Sequence, residues 1–125
     1  QKVLDIGSGW GTLALSIAQK TKAFVTGITL SENQLEYSNK KAKEMNLSNQ
    51  VEFKLIDYRQ LNEKFDRIVS VGMFEHVGRK FYSKYFKKVF LLIPPRWLKD
   101  FAGAWIFYTA LPKLPKIKPR FKNSL

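Results

Sequence analysis

Val3-Leu4-Asp5-Ile6-Gly7-Ser8-Gly9-Trp10-Gly11 is the stretch that decides the fold of this 125-residue chain. An apolar strand pattern runs straight into a glycine-rich turn, and a helical pattern follows it. Glycine has no Cβ, so the backbone there turns tightly and lets a ligand come close. The helix beyond the turn presents unpaired N–H groups to a polar ligand. In α/β sheets the ligand lies at the carboxyl ends of the strands. The chain is therefore expected to be built around a nucleotide-like cofactor.

Outward from that turn, strand and helix patterns alternate, which predicts a parallel sheet with helices on its faces. Lys2–Ile6 reads as the first strand. Trp10–Lys20 reads as a helix with Leu13, Ala14, Ile17 and Ala18 on one face. Ala23–Thr29 is the second strand, rich in β-branched residues. Ser31–Asn46 is a second helix, and Ser31 followed by Gln34 is a capping-box start. Val51–Ile56 and Asp66–Val71 are the third and fourth strands. Arg79–Leu92 is a helix with Tyr82, Tyr85, Phe86 and Val89 on its apolar side and Lys80, Lys84, Lys87 and Lys88 mostly on the other. Pro94-Pro95 ends it. Residues 1–93 thus form a core, and residues 94–125 a Pro/Lys-rich segment with a candidate fifth strand at Ala104–Leu111.

The chain has no cysteine and one histidine, His76, which excludes disulfides and thiolate metal sites and argues against any metal site. Neither a signal peptide nor a membrane-spanning run is visible, so a cytoplasmic location is expected. The formal charge is +12. Seven basic residues between Arg96 and Lys122 face a single acid, Asp100. Such a surface attracts phosphates on lipid headgroups or nucleic acid, or is simply solvated. Because the aromatics fall mainly on strands and apolar helix faces, specific nucleic-acid binding is not expected.

Two cofactor classes use a glycine turn of this kind. Dinucleotide enzymes place an acid at the end of strand two for the ribose. Here that position reads Gly27-Ile28-Thr29-Leu30-Ser31, with no acid before Glu32. The spacing Gly7-x-Gly9-x-Gly11 also differs from G-x-G-x-x-G. S-adenosylmethionine has no pyrophosphate and needs close backbone approach more than an anion cradle. The Asp5-x-Gly7-x-Gly9 form suits it.

Four segments together resemble the cyclopropane-fatty-acyl-phospholipid synthases and the related mycolic acid cyclopropane synthases. They are Asp5–Gly11, Val25–Gln34 with its Thr-Leu-Ser-x-x-Gln, Asp57-Tyr58-Arg59, and Ile68–Gly78 with its Gly-Met-Phe-Glu-His-Val-Gly. The resemblance covers roughly residues 1–92. It implies a class I methyltransferase fold, a Rossmann-like doubly wound and mainly parallel sheet, here truncated at both ends. It implies methylene transfer from S-adenosylmethionine to the double bond of an unsaturated phospholipid acyl chain, at the inner face of a membrane, and leaves the oligomeric state open. Asp5, Gly7, Gly9 and Gly11 would form the turn, with Gly7 and Gly9 against the methionine part of the cofactor. Thr29, Leu30 and Gln34 would sit near its ribose, Gln34 replacing the usual acid or only capping the helix. Asp57 and Tyr58 would lie beside the adenine, Tyr58 stacking on it or packing in the core. Glu75 would help hold a bicarbonate that acts as base. His76, beside it, is either catalytic or structural.

The chain also departs from that family. The resemblance implies a cysteine upstream of the glycine turn and a histidine on strand five. Neither is present, and residues 103–111 contain no histidine. One explanation is a frameshift after about residue 100, which gene sequencing tests. An inactive cofactor-binding remnant and a different class I methyltransferase are the alternative readings. A truncated sheet also predicts marginal stability or aggregation.

Overall fold

The computed structural model describes residues 1–94. Four strands, β1 (Lys2–Ile6), β2 (Phe24–Thr29), β3 (Val51–Leu55) and β4 (Arg67–Val69), pair in parallel in the order β3-β2-β1-β4. Three helices accompany them: α1 (Thr12–Lys20), α2 (Glu32–Glu44) and α3 (Tyr82–Leu91). From β1 the chain winds outward to β3, then returns to the other flank of β1 as β4. The reversal leaves a crevice above β1, where ligands bind in sheets of this kind.

Alternation along the strands divides the core into two layers. Val3, Val25, Val51 and Phe53 pack on one face with Ala14, Leu15 and Ala18 of α1 and Ala42 of α2. Leu4, Ile6, Ile28 and Ile68 pack on the other with Leu61, Phe65 and the Tyr85 and Val89 side chains of α3. Helices thus lie on both faces, which is the doubly wound arrangement expected. At the foot of the sheet Phe65 N–H donates to the Leu92 carbonyl at 2.8 Å, tying the end of α3 to the segment that leads into β4.

The elements are shorter than their sequence patterns. The first helix starts at Thr12, not Trp10, because Gly11 at φ 84° lies in the left-handed region. Ser31 is extended and caps α2, which ends at Glu44 before Asn46 at φ 57°. The fourth strand keeps only Arg67–Val69, because Gly72 at φ 77° bends the chain soon after it. The third ends at Leu55, and the second begins at Phe24. The Arg79–Leu92 pattern splits into a 3-10 turn, Arg79–Phe81, and α3. Phe86, read as part of the apolar side, is half exposed. The candidate fifth strand at 104–111 lies outside the described residues.

Candidate cofactor-binding site

The carboxyl ends of β1, β2 and β3 and the segment after β4 surround a cleft of about 410 Å³. Gly7, Thr29, Leu30, Gln34, Asp57 and Tyr58, all singled out from sequence, line it. Ile56 and Met73 line it as well and were not singled out. Met73 lies inside the Gly-Met-Phe-Glu segment, so its position was visible but its part in the wall was not.

The glycine turn is pinned to the end of β2. The N–H groups of Gly7 and Ser8 both donate to the Ile28 carbonyl, at 3.0 and 2.9 Å, and the Ser8 hydroxyl donates to it at 3.2 Å. Gly7 adopts φ 75°, and a Cβ there would meet the Met73 Cβ at 2.6 Å. Gly9 adopts φ 55° and faces open space, with no atom within 4 Å of where a Cβ would stand. Gly11 is buried and shapes the turn from beneath. A Cβ on it would lie 2.8 Å from the Phe53 ring, and one on Gly27 would lie 2.6 Å from the same ring. Gly27 and Phe53 therefore belong to the support of the turn. Sequence reading missed both, since a missing Cβ on a neighbouring strand carries no local pattern.

Asp5 lies two residues before the turn, between Gly27 and Val69 in the sheet. It is 2 % exposed, and its Oδ2 is buried with no hydrogen-bond partner. Burial pushes its carboxyl up to about 7. An orphaned buried carboxylate of this kind is costly in an empty fold and is well matched to a cation bound nearby.

Gln34 caps the helix and also lines the cleft. Its backbone N–H donates to Ser31 Oγ at 3.4 Å, one leg of the capping box. The second leg runs through Thr29. Ser31 N–H donates to Thr29 Oγ1 at 3.2 Å, and the Thr29 hydroxyl donates to Gln34 Oε1 at 2.8 Å. The relay leaves the Gln34 NH₂ for the cleft that it lines.

Asp57 lines the cleft and is also held from the solvent side. Its Oδ1 accepts from Arg59 N–H and Nε, and its Oδ2 accepts from an Arg59 guanidinium nitrogen at 2.6 Å. That pairing holds the Asp57 carboxyl below its usual range, against a smaller opposing effect of burial. Tyr58 packs edge-on against Tyr85, with ring centres 5.1 Å apart, and still reaches the cleft. Core packing and cleft lining are thus combined in one side chain.

Glu75 and His76 fall in the 3-10 turn Phe74–His76, directly after Met73. His76 N–H donates to the Met73 carbonyl at 3.0 Å, and the imidazole is exposed. Among the described residues, no group of three His, Asp or Glu side chains could hold a metal ion. A second hollow of about 420 Å³ lies toward the amino ends of the strands, between Ile17, Val3, Val69 and Arg67. It does not touch the glycine turn and is not the cofactor cleft.

A parallel sheet wound outward from β1, with its crevice over an open glycine turn and an acid at the turn's root, is the architecture of the class I methyltransferases. Residues 1–98 match the family described as mycolic acid cyclopropane synthetase, and the chain belongs to that family. It is 48% identical over 88 residues to the cyclopropane-fatty-acyl-phospholipid synthase of Escherichia coli K12, a match covering 70% of this chain and 22% of that protein. It is 44% identical over 90 residues to a probable fatty acid methyltransferase of Pseudomonas putida, covering 70% of this chain and 23% of that one. Among solved structures, the cyclopropane synthase MmaA2 from Mycobacterium tuberculosis matches with a TM-score of 0.70 at 36% identity, over 75% of this chain and 33% of that chain. The mycolic acid cyclopropane synthase CmaA1, solved with SAH and CTAB, matches with a TM-score of 0.70 at 33% identity, with the same two coverages. The chain therefore spans from about a fifth to a third of these relatives. Among the described residues, no helix is long and apolar enough to cross a membrane.

Proposed function

We propose that this chain forms the cofactor-binding part of an S-adenosylmethionine-dependent methyltransferase that builds cyclopropane rings on unsaturated phospholipid acyl chains. The observation that carries the reading is the pairing of an open glycine turn with a buried, unpartnered carboxylate at its root. A dinucleotide would bring its anionic pyrophosphate toward Asp5. S-adenosylmethionine instead brings two cations, its ammonium and its sulfonium, for which a negative charge in a low-dielectric setting is favourable. The related CmaA1 structure, which holds SAH, supports the same reading.

In this reading Gly7 and Gly9 meet the methionine part, and Gln34 with Thr29 and Leu30 meets the ribose. Tyr58 and Asp57 flank the adenine, where the remaining lone pair of the Asp57 carboxylate accepts from its amino group. When bound, the cofactor supplies an electrophilic methyl; on an alkene its addition leaves a carbocation that closes to a ring as a proton departs. Glu75, placed by its backbone after β4 near the same strand ends, would help hold a bicarbonate to take that proton, with His76 beside it. A carboxylate there also offsets developing positive charge. The acyl chain belongs to a membrane phospholipid, reached from the cytoplasmic side by peripheral contact.

Calorimetric titration of the full chain with S-adenosylmethionine tests the cofactor assignment, with Gly9→Val as control. A β-branched residue at φ 55° is strained, and its side chain would stand in the open space beside the turn. Saturable binding that is lost in a folded Gly9→Val variant is the expected result. No binding by the folded wild-type chain would overturn the assignment.

A further inference from the structure

The segment from Val77 to Pro94 carries Arg79, Lys80, Lys84, Lys87 and Lys88 and no acidic residue. Four large apolar side chains stand out from the same segment: Phe81, Phe86, Phe90 and Leu91 are 52, 44, 50 and 56% exposed. They are interleaved with the charges. Phe86 and Phe90 lie one turn apart on α3, as do Lys84 and Lys88, and Lys87 and Leu91, so an aromatic row, a basic row and a mixed one share the helix. Lys84 Nζ sits 5.9 Å from the centre of the Phe81 ring. Among the described residues, none of these five cations takes part in a salt bridge. The helix is apolar on its buried side, where Tyr85 and Val89 meet the core, and again on its outer side.

We propose that the outer face of α3, with Phe81 before it, is the surface by which this protein docks on an anionic phospholipid bilayer. The chemistry selects that partner. Basic side chains seek phosphate headgroups, while half-exposed phenylalanines and a leucine gain by burial at the acyl boundary. Lysine stems bridge the two by keeping the ammonium at headgroup level. A single nucleic-acid strand satisfies the charges and needs a groove with stacking rings. The outer face of a helix is convex and lacks such a groove.

The surface also connects to the cleft. The Phe86 ring lies 5.2 Å from that of Phe74, which stacks on Tyr82 at 4.3 Å. Phe74 is the neighbour in sequence of Met73, which lines the cleft. Apolar side chains therefore lead from the proposed membrane face to the wall of the cofactor site. The proposal rests on the lipid-substrate reading only for this last step, since the docking chemistry stands without it.

The test is co-sedimentation of the full chain with phosphatidylcholine vesicles, with and without phosphatidylglycerol. Two variants are compared with wild type, Phe90→Ser with Leu91→Ser and Lys84→Glu with Lys87→Glu. All four positions are exposed, and circular dichroism checks that the helix content is kept. Wild type should partition onto the anionic vesicles, and each pair should weaken that at least about tenfold. Failure of wild type to bind anionic vesicles overturns the proposal. So does binding by both variants at the wild-type level, which would place the contact on other basic residues. Equal binding to single-stranded DNA that is insensitive to the Phe90 and Leu91 changes would mark a polyanion site instead. Cofactor titration is unaffected by either pair, so a failure here is distinct from a failure of the cofactor reading.

Discussion

Replacing Asp5 by Asn should make the fold more stable above neutral pH and change it little in acid. The unfolded chain releases the Asp5 proton near 3.8, whereas the buried carboxyl holds it up to about 7. The folded state therefore binds more protons than the unfolded state between those values, and stability falls as pH rises. The contribution is fully present below the unfolded value and is lost as pH passes through the folded one. The whole interval, from 3.8 to about 7, corresponds to roughly 4 kcal/mol. Integrated between pH 5 and pH 8, the loss is about 2.5 kcal/mol. Asp57 and Glu63 act in the opposite sense, because their partners lower them, so their contribution is lost only as pH falls through their folded values. Urea unfolding followed by circular dichroism, at steps from pH 5 to pH 8, reads the difference between wild type and Asp5→Asn. Wild type should lose stability over that range, and the variant should lose about 2.5 kcal/mol less. Parallel curves for the two proteins would refute the reasoning. In the cofactor reading the same substitution removes the anion at the root of the turn, so it should weaken S-adenosylmethionine binding while stabilising the empty fold.

Two further substitutions probe the support of the site. Gly27→Ala should destabilise the chain by about 1–3 kcal/mol, because its Cβ would fall 2.6 Å from the Phe53 ring; urea unfolding should show Phe53→Leu recovering part of the loss, and no recovery would mean that the clash lies elsewhere. Thr29→Val keeps the shape but breaks the relay between Ser31 N–H and Gln34 Oε1. It should cost about 1–2 kcal/mol in urea unfolding and weaken cofactor binding measured by calorimetry, whereas unchanged binding would limit Gln34 to its capping role.

Much of the fold was legible because its signals are local. The Val3–Ile6 run, the glycines after it and the Ser31 cap each declare themselves within a few residues, and the parallel sheet follows from the alternation. Element ends were less legible. Gly11, Gly72 and Asn46 take positive φ, and the 3-10 turn at Arg79–Phe81 replaces a helical turn whose periodicity looks the same. At the site, Gly7, Thr29, Leu30, Gln34, Asp57 and Tyr58 gather around one cleft, because parallel strands bring their carboxyl ends together, whereas Asp5, Gly9 and Gly11 do not line it. The Arg59 grip on Asp57, the Thr29 relay and the Phe53 wedge were not legible. Each depends on how far one side chain reaches across a neighbouring element, a distance that spacing along the chain does not encode.

The Phe53 wedge has a consequence for how such sequences diversify. One ring edge fills the space that two absent methyl groups, at Gly11 and Gly27, would otherwise occupy. A change at Gly27 is admissible only alongside a smaller residue at position 53, and shrinking Phe53 first would open a gap beneath the turn; Gly11 is held besides by its φ of 84° and by Ser38, whose Cβ would lie 2.8 Å from an added Cβ. The three positions are therefore inherited as a set, although they lie on three different segments. Substitutions at 27 and 53 among descendants should arrive as a pair and in a preferred order, with the aromatic yielding before Gly27.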